Sequence, residues 1–211
     1  MFPWLKYGVD APSAGKDFFV QATYSPSKYL EVYARYKNET KTGNITGSGS
    51  ATTVFETVPK KDVRLQTSVI VNNWLTVRNR VELLWYGKVG RGFLGYAEAF
   101  YTPAAKKWSA DMRLQYFETS GYNERIYAYE AGLPHQFSIP FYYDKGIRYY
   151  INYSRTAIKL GAANRKDHAE MELGFRWART IYPGKQAVGS GLDETTGNSR
   201  SEWTLQLLIN N

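Results

Sequence analysis

Nine stretches of the chain alternate apolar and polar residues with a period of two, so it must fold into strands with two chemically different faces. Residues 17–25 set Phe18, Val20, Ala22 and Tyr24 against Phe19, Gln21 and Thr23. Residues 62–72 set Val63, Leu65, Thr67, Val69 and Val71 against Arg64, Gln66, Ser68 and Ile70. Residues 29–38, 75–87, 93–102, 107–117, 146–155, 168–181 and 202–210 repeat the pattern, with Asn79 interrupting the apolar face of the fourth stretch. No stretch carries a convincing helical period. The expectation is an all-β, antiparallel architecture of nine or ten strands spanning 1–211, the tenth being a candidate strand at 125–130.

Alternation alone does not say which face is inside. A soluble barrel or sandwich buries its apolar face. A transmembrane β-barrel turns apolar side chains to lipid and polar ones to its lumen. The polar face here holds Glu31, Arg35, Arg64, Arg78, Arg80, Glu82, Asp111, Arg113, Arg148, Glu170, Glu172 and Arg176, with Lys37 and Glu98 among them. Charges of mixed sign, led by arginine, suit pairing across a lumen. Aromatic residues gather toward the strand ends: Tyr24, Tyr29, Trp74, Tyr101, Trp108 and Tyr153 beside one set of turns, Tyr36, Trp85, Phe93, Tyr116, Tyr149 and Trp203 near the other. Small or aliphatic side chains such as Ala22, Val32, Val81, Ala97, Met112 and Ile151 hold the middle. Aromatic ends with an aliphatic centre form the interface girdles of a bilayer-spanning barrel. The listing of faces therefore favours an antiparallel transmembrane β-barrel, with the twelve polar-face residues from Glu31 to Arg176 lining its lumen.

Composition agrees. No run approaches the roughly 18 apolar residues of a membrane helix, and the mean hydropathy is −0.48. There is no cysteine and there are two histidines, so disulfides, iron–sulfur clusters and cysteine nucleophiles are excluded, and a histidine-rich metal centre has little to draw on. The net charge of +8 is dispersed in pairs such as Lys60-Lys61, which does not read as a nucleic-acid surface. Short connections (26–28, 72–74, 103–106) alternate with long ones at 39–61, 118–145 and 182–201, apart from the compact 88–92 link and a less clear stretch at 156–167. Outer-membrane barrels keep short turns on the periplasmic side and long loops outside. In that orientation the first and last strands both run downward, so at least one further strand is expected before residue 1, in a larger barrel or a completing subunit.

Several phrases resemble a recurrent block in large outer-membrane proteins of Bacteroidota. These are Phe2 to Val9 (FPWLKYGV) with Ala11-Pro12-Ser13, Gly121 to Glu130 (GYNERIYAYE), Phe137 to Gly146 (FSIPFYYDKG), and Ile181-Tyr182-Pro183-Gly184 leading to Gly189 to Glu194 and Gly197 to Ser201. The chain resembles the C-terminal β-barrel region of the helix-hairpin-helix (competence-like) domain-containing family. That resemblance implies an outer-membrane barrel segment; the DNA-binding hairpin itself has no counterpart here. Barrels of this kind usually end on an aromatic residue, whereas this chain ends Leu207-Leu208-Ile209-Asn210-Asn211.

Chemistry is sparse. Glu170 and Glu172 share a strand face and could form a carboxylate pair, but charges balanced by Arg148 and Arg176 are the simpler reading. His168 beside Asp167 lies at a strand start, and His135 lies in a long loop with no partner. Ser48 and Ser50 lack a nucleophile-elbow spacing, and Asp193 and Glu194 lack an EF-hand spacing. No cofactor, metal or catalytic residue is expected. The expected function is a non-enzymatic channel or scaffold subunit of a cell-envelope complex in the bacterial outer membrane. Its partners would be the bilayer, lipopolysaccharide, the rest of a larger barrel or other envelope proteins, and not nucleic acid. The alternatives are a soluble β-barrel binding an apolar ligand and, below it, an outer-membrane hydrolase built on Glu170, Glu172 or His168.

Overall fold

In the computed structural model, residues 14–44, 55–105, 107–160, 169–189 and 191–210 are described. The strands in chain order are β1 (Gly15–Ser27), β2 (Leu30–Asn44), β3 (Phe55–Asn72), β4 (Leu75–Tyr86), β5 (Gly90–Tyr101), β6 (Trp108–Thr119), β7 (Ile126–Tyr127), β8 (Phe141–Tyr142), β9 (Lys145–Leu160), β10 (Ala169–Ile181), β11 (Ala187–Val188), β12 (Thr195–Thr196) and β13 (Ser199–Asn210). Nine of them form one sheet in the order β1-β2-β3-β4-β5-β6-β9-β10-β13, while β7 with β8 and β11 with β12 form two small ribbons. Every neighbouring pair of the large sheet is antiparallel. Among the described residues there is no helix long and apolar enough to cross a membrane, which says nothing about crossing by strands.

Side chains at the tight turns explain why the chain reverses where it does. The Asn72 carboxamide oxygen accepts the backbone N–H groups of Trp74 (3.0 Å) and Leu75 (2.9 Å), satisfying donors that the ladder cannot reach. Ser27 Oγ does the same for Tyr29 N–H at 3.2 Å. Between β4 and β5, Gly87 takes φ 59, a left-handed conformation that costs a residue without a Cβ nothing.

Register carries the expected two faces across the whole sheet. Ala34, Leu65, Val81, Gly95, Tyr116 and Ile147 fall in one continuous row. On the other face Arg35, Arg64, Glu82 and Leu94 form a row of their own. Burial assigns the faces opposite roles from those in a soluble protein. Arg80, Glu82, Glu98, Arg113, Gln115, Arg148 and Arg176 are buried, whereas Val81, Leu83, Met112, Leu114, Ile151, Trp203 and Leu205 are exposed, Leu205 to 83%. Exposed apolar surface on that scale needs a cover that the described residues do not provide. Its aromatics meet in two sets: Trp108 with Tyr101 and Tyr153 at 5.1 and 5.9 Å, and Trp177 with Tyr149 and Trp203, both at 5.5 Å.

Three expectations change. First, the sheet does not close on itself: β1 and β13 pair only with β2 and β10, leaving two open edges among the described residues. Second, the loop expected at 39–61 is shorter, because β2 continues to Asn44 and β3 begins at Phe55. Lys37 bridges Asp17 and Glu39, each at 2.9 Å, so polar pairing continues the ladder beyond the apolar zone. Likewise β9 runs to Leu160 and β13 begins at Ser199. Third, the segment 118–145 is not a free external loop. It folds onto the polar face of the sheet, and the candidate strand at 125–130 contributes only the short β7, paired with β8, so the large sheet keeps nine strands.

Candidate functional site: the charged inner face

The polar face is built from strand-borne ion pairs, because taking isolated charges out of water is prohibitive unless each meets a partner. Arg64 grips Glu82 with two parallel bonds, Nε to Oε2 at 2.9 Å and Nη2 to Oε1 at 3.0 Å, and Arg80 Nη2 lies 2.8 Å from Glu82 Oε2. Arg35 donates to Asp62 at 3.0 Å. Glu98, 2% exposed, accepts Nε (3.1 Å) and Nη2 (2.7 Å) of Arg113, lies 3.5 Å from Arg78, and takes a hydrogen bond from the Tyr150 hydroxyl. The Arg113 guanidinium also stacks 3.9 Å from the centroid of Tyr96. Arg64 stands opposite Glu82 in register, and Glu98 opposite both Arg78 and Arg113, so strand pairing positions these charges directly.

Around Arg148 and Arg176 the arrangement differs, because their carboxylate comes from the segment folded over the sheet. Glu130, 1% exposed, accepts Arg148 Nε at Oε1 (2.7 Å), Arg148 Nη2 and Arg176 Nη2 at Oε2 (3.0 and 2.5 Å), and the Tyr142 hydroxyl at Oε1 (2.6 Å). Next to it the Ala131 carbonyl accepts Asn152 Nδ2 (2.8 Å) and Arg176 Nη1 (2.5 Å), while its N–H donates to the Tyr150 hydroxyl at 3.1 Å. Further along, Gln206 Nε2 donates to the Pro134 carbonyl at 2.8 Å.

Glycines make room for this cover. A Cβ at Gly174 would stand 3.1 Å from Leu133 Cδ1, and one at Gly92 would stand 3.0 Å from the Glu124 carbonyl oxygen and 3.2 Å from Ile126 Cδ1. Ile126 and Ala128 then pack with Leu84, Leu94, Phe117 and Tyr142 as a buried apolar cluster. The wall is thus shaped for this segment.

Of the residues read as lumen lining, Arg35, Arg64, Arg78, Arg80, Glu82, Arg113, Arg148 and Arg176 enter this network. Asp111 shares the face, opposite Asn152 in register. Glu31 and Glu172 share it also, opposite Ser68 and Thr156, and form no ion pair among the described residues. Among the described residues Arg148 and Arg176 turn to Glu130 and not to Glu172. The side chain of Glu170 and all of His168 lie outside the described residues. Sequence spacing does not mark Glu130 or Asp62 as charge partners; the place of Glu130 in the candidate strand at 125–130 is the one sign of order there. Among the described residues no three His, Asp or Glu side chains gather as a metal site would need. Comparison of the chain with known protein families, with curated proteins and with solved structures finds no match.

Proposed function

We propose that this sheet is a wall section of a bacterial outer-membrane β-barrel with no catalytic role, acting as a channel or as a scaffold subunit of a cell-envelope complex. The observation that carries the reading is inverted burial: an ion-paired polar face is covered while an aliphatic face edged with aromatics is bare. In water that arrangement exposes many large apolar side chains, whereas in a bilayer it is the favoured one. Because every neighbouring pair is antiparallel, β1 and β13 run in the same direction, and an all-antiparallel closure needs an odd number of further strands. Unpaired edges do not persist in hydrocarbon. The polar face of β4, β5, β6, β9 and β10 is salt-bridged and covered by 120–144, whereas β1 is exposed on both faces.

Purification with and without detergent tests the reading. Expected are detergent dependence and heat-modifiable migration on a gel; a monodisperse detergent-free protein overturns it. Met112→Arg, on the apolar face at 54% exposure, sharpens the test. It should destabilise by about 2–4 kcal/mol in lipid and change little if that face meets water.

A further inference from the structure

We propose that Arg148 and Arg176 form a binding site for carboxylate-bearing solutes, kept closed by Glu130 as a built-in occupant. Elsewhere on the polar face the paired arginines find acids carried by the sheet itself: Arg35 with Asp62, Arg64 and Arg80 with Glu82, Arg78 and Arg113 with Glu98. On β9 and β10 the strands supply cations in excess. The strand-borne ion-pair partner of Arg148 is Glu202, at 3.2 Å and 46% exposed at its side chain, while the ion pair of Arg176 is to Glu130. The carboxylate that completes the site arrives on a segment of the chain that is not part of the wall.

The site has the form of a receptor. Four donors from Arg148, Arg176 and Tyr142 converge on one carboxylate, and Thr180 Oγ1 fixes Arg148 Nη1 at 2.8 Å. Fork-like donors of this kind recognise a carboxylate in two-point fashion. Donor capacity is also left over. Gln115, 1% exposed and opposite Arg148 in register, has both amide atoms without a partner, and so does Arg113 Nη1.

The occupant is mounted on a flap with its own stem. Thr119 N–H donates to the Asp144 carbonyl at 2.8 Å, and Asp144 N–H donates to Thr119 Oγ1 at 3.0 Å. The base of the flap therefore stays fixed when its Glu130 portion lifts. A tethered occupant competes at an effective concentration of roughly millimolar or above. A free carboxylate then binds weakly to the native protein and more tightly once Glu130 loses its charge. The site rests on the reading of this face as a lumen only for the direction from which solute arrives.

The test is amide hydrogen exchange of the full chain in detergent, followed over residues 126–133, with succinate titrated against sodium chloride at matched ionic strength. Succinate should accelerate exchange there at least threefold and chloride should not. Glu130→Gln should accelerate exchange without added anion and tighten succinate binding, read by calorimetry, at least tenfold; adding Arg176→Gln should abolish that gain. Equal effects of succinate and chloride, or none from either, overturn the proposal, and so does a folded Glu130→Gln protein with no gain in succinate binding. Should Glu130→Gln fail to fold, the native titration decides alone. Detergent dependence is read separately, so failure of the barrel reading and failure of this site are distinguishable.

Discussion

Replacing Leu133 by Ala measures how firmly the flap is seated. Leu133 is 2% exposed and its terminal methyls lie directly over Gly174. Truncating a buried leucine costs about 2–5 kcal/mol, the lower end applying where neighbours can settle into the gap. A flap with a free tip can settle, so about 2–3 kcal/mol is the expectation here. That loss falls on flap docking, because Leu133 contributes nothing to the strand ladder. Local opening should rise about 30- to 150-fold, and exchange should report it at Ala131 N–H, bonded across to Tyr150 of β9. Amides of β4 and β5 should keep their native protection. Unchanged exchange in the flap, or an equal rise in flap and strands, refutes the reasoning. Gly174→Ala, whose Cβ crowds the same methyls, should act in the same direction but less strongly.

Three further outcomes follow from the same geometry. Tyr150→Phe strands the buried Ala131 N–H and removes a donor from Glu98, so denaturant unfolding should register a loss of about 1–3 kcal/mol. Glu98→Ala leaves Arg113, with its side chain 1% exposed, without its counter-charge; about 3–5 kcal/mol should be lost in the same assay. Lys185 is held above its ordinary 10.5 by its hydrogen bond to Asp144. A raised lysine contributes in full below that ordinary value and loses its contribution as pH climbs through the higher folded one. The stability difference between wild type and Lys185→Met, taken from thermal melts, should be flat from neutrality to about pH 10 and shrink beyond it.

Much of the sheet was legible because hydrophobic alternation reports a strand wherever its two faces meet different surroundings. The same signal fades where they do not. Between Lys37 and Asn44 both sides are polar, so the ladder that carries β2 past Glu39 leaves no alternation to read. Arginine on the polar face was equally legible, since Arg64, Arg113 and Arg148 fall at regular offsets within their strands. Their partners were legible only when they lay on neighbouring strands. Glu130 lies in a stretch of turns and two-residue strands, and nothing in its spacing links it to Arg148 or Arg176. The glycines at 92 and 174 carried the missing hint, but a glycine in a strand marks a close approach without naming what approaches.

The common direction of β1 and β13 also limits how copies of this sheet can assemble with one another. A rotation about an axis along the strands keeps the long connections of every copy at the same end and brings β13 of one copy beside β1 of the next, pointing the same way. Every seam of such a ring would be parallel, unlike every pairing within the sheet. Turning one copy over restores antiparallel seams, but it sends that copy's long connections to the opposite side. A closed, uniformly antiparallel ring therefore does not arise from this nine-stranded sheet by rotation about an axis along the strands. A complement with an odd number of other strands would close the same sheet with every seam antiparallel, and the product would have no rotational symmetry.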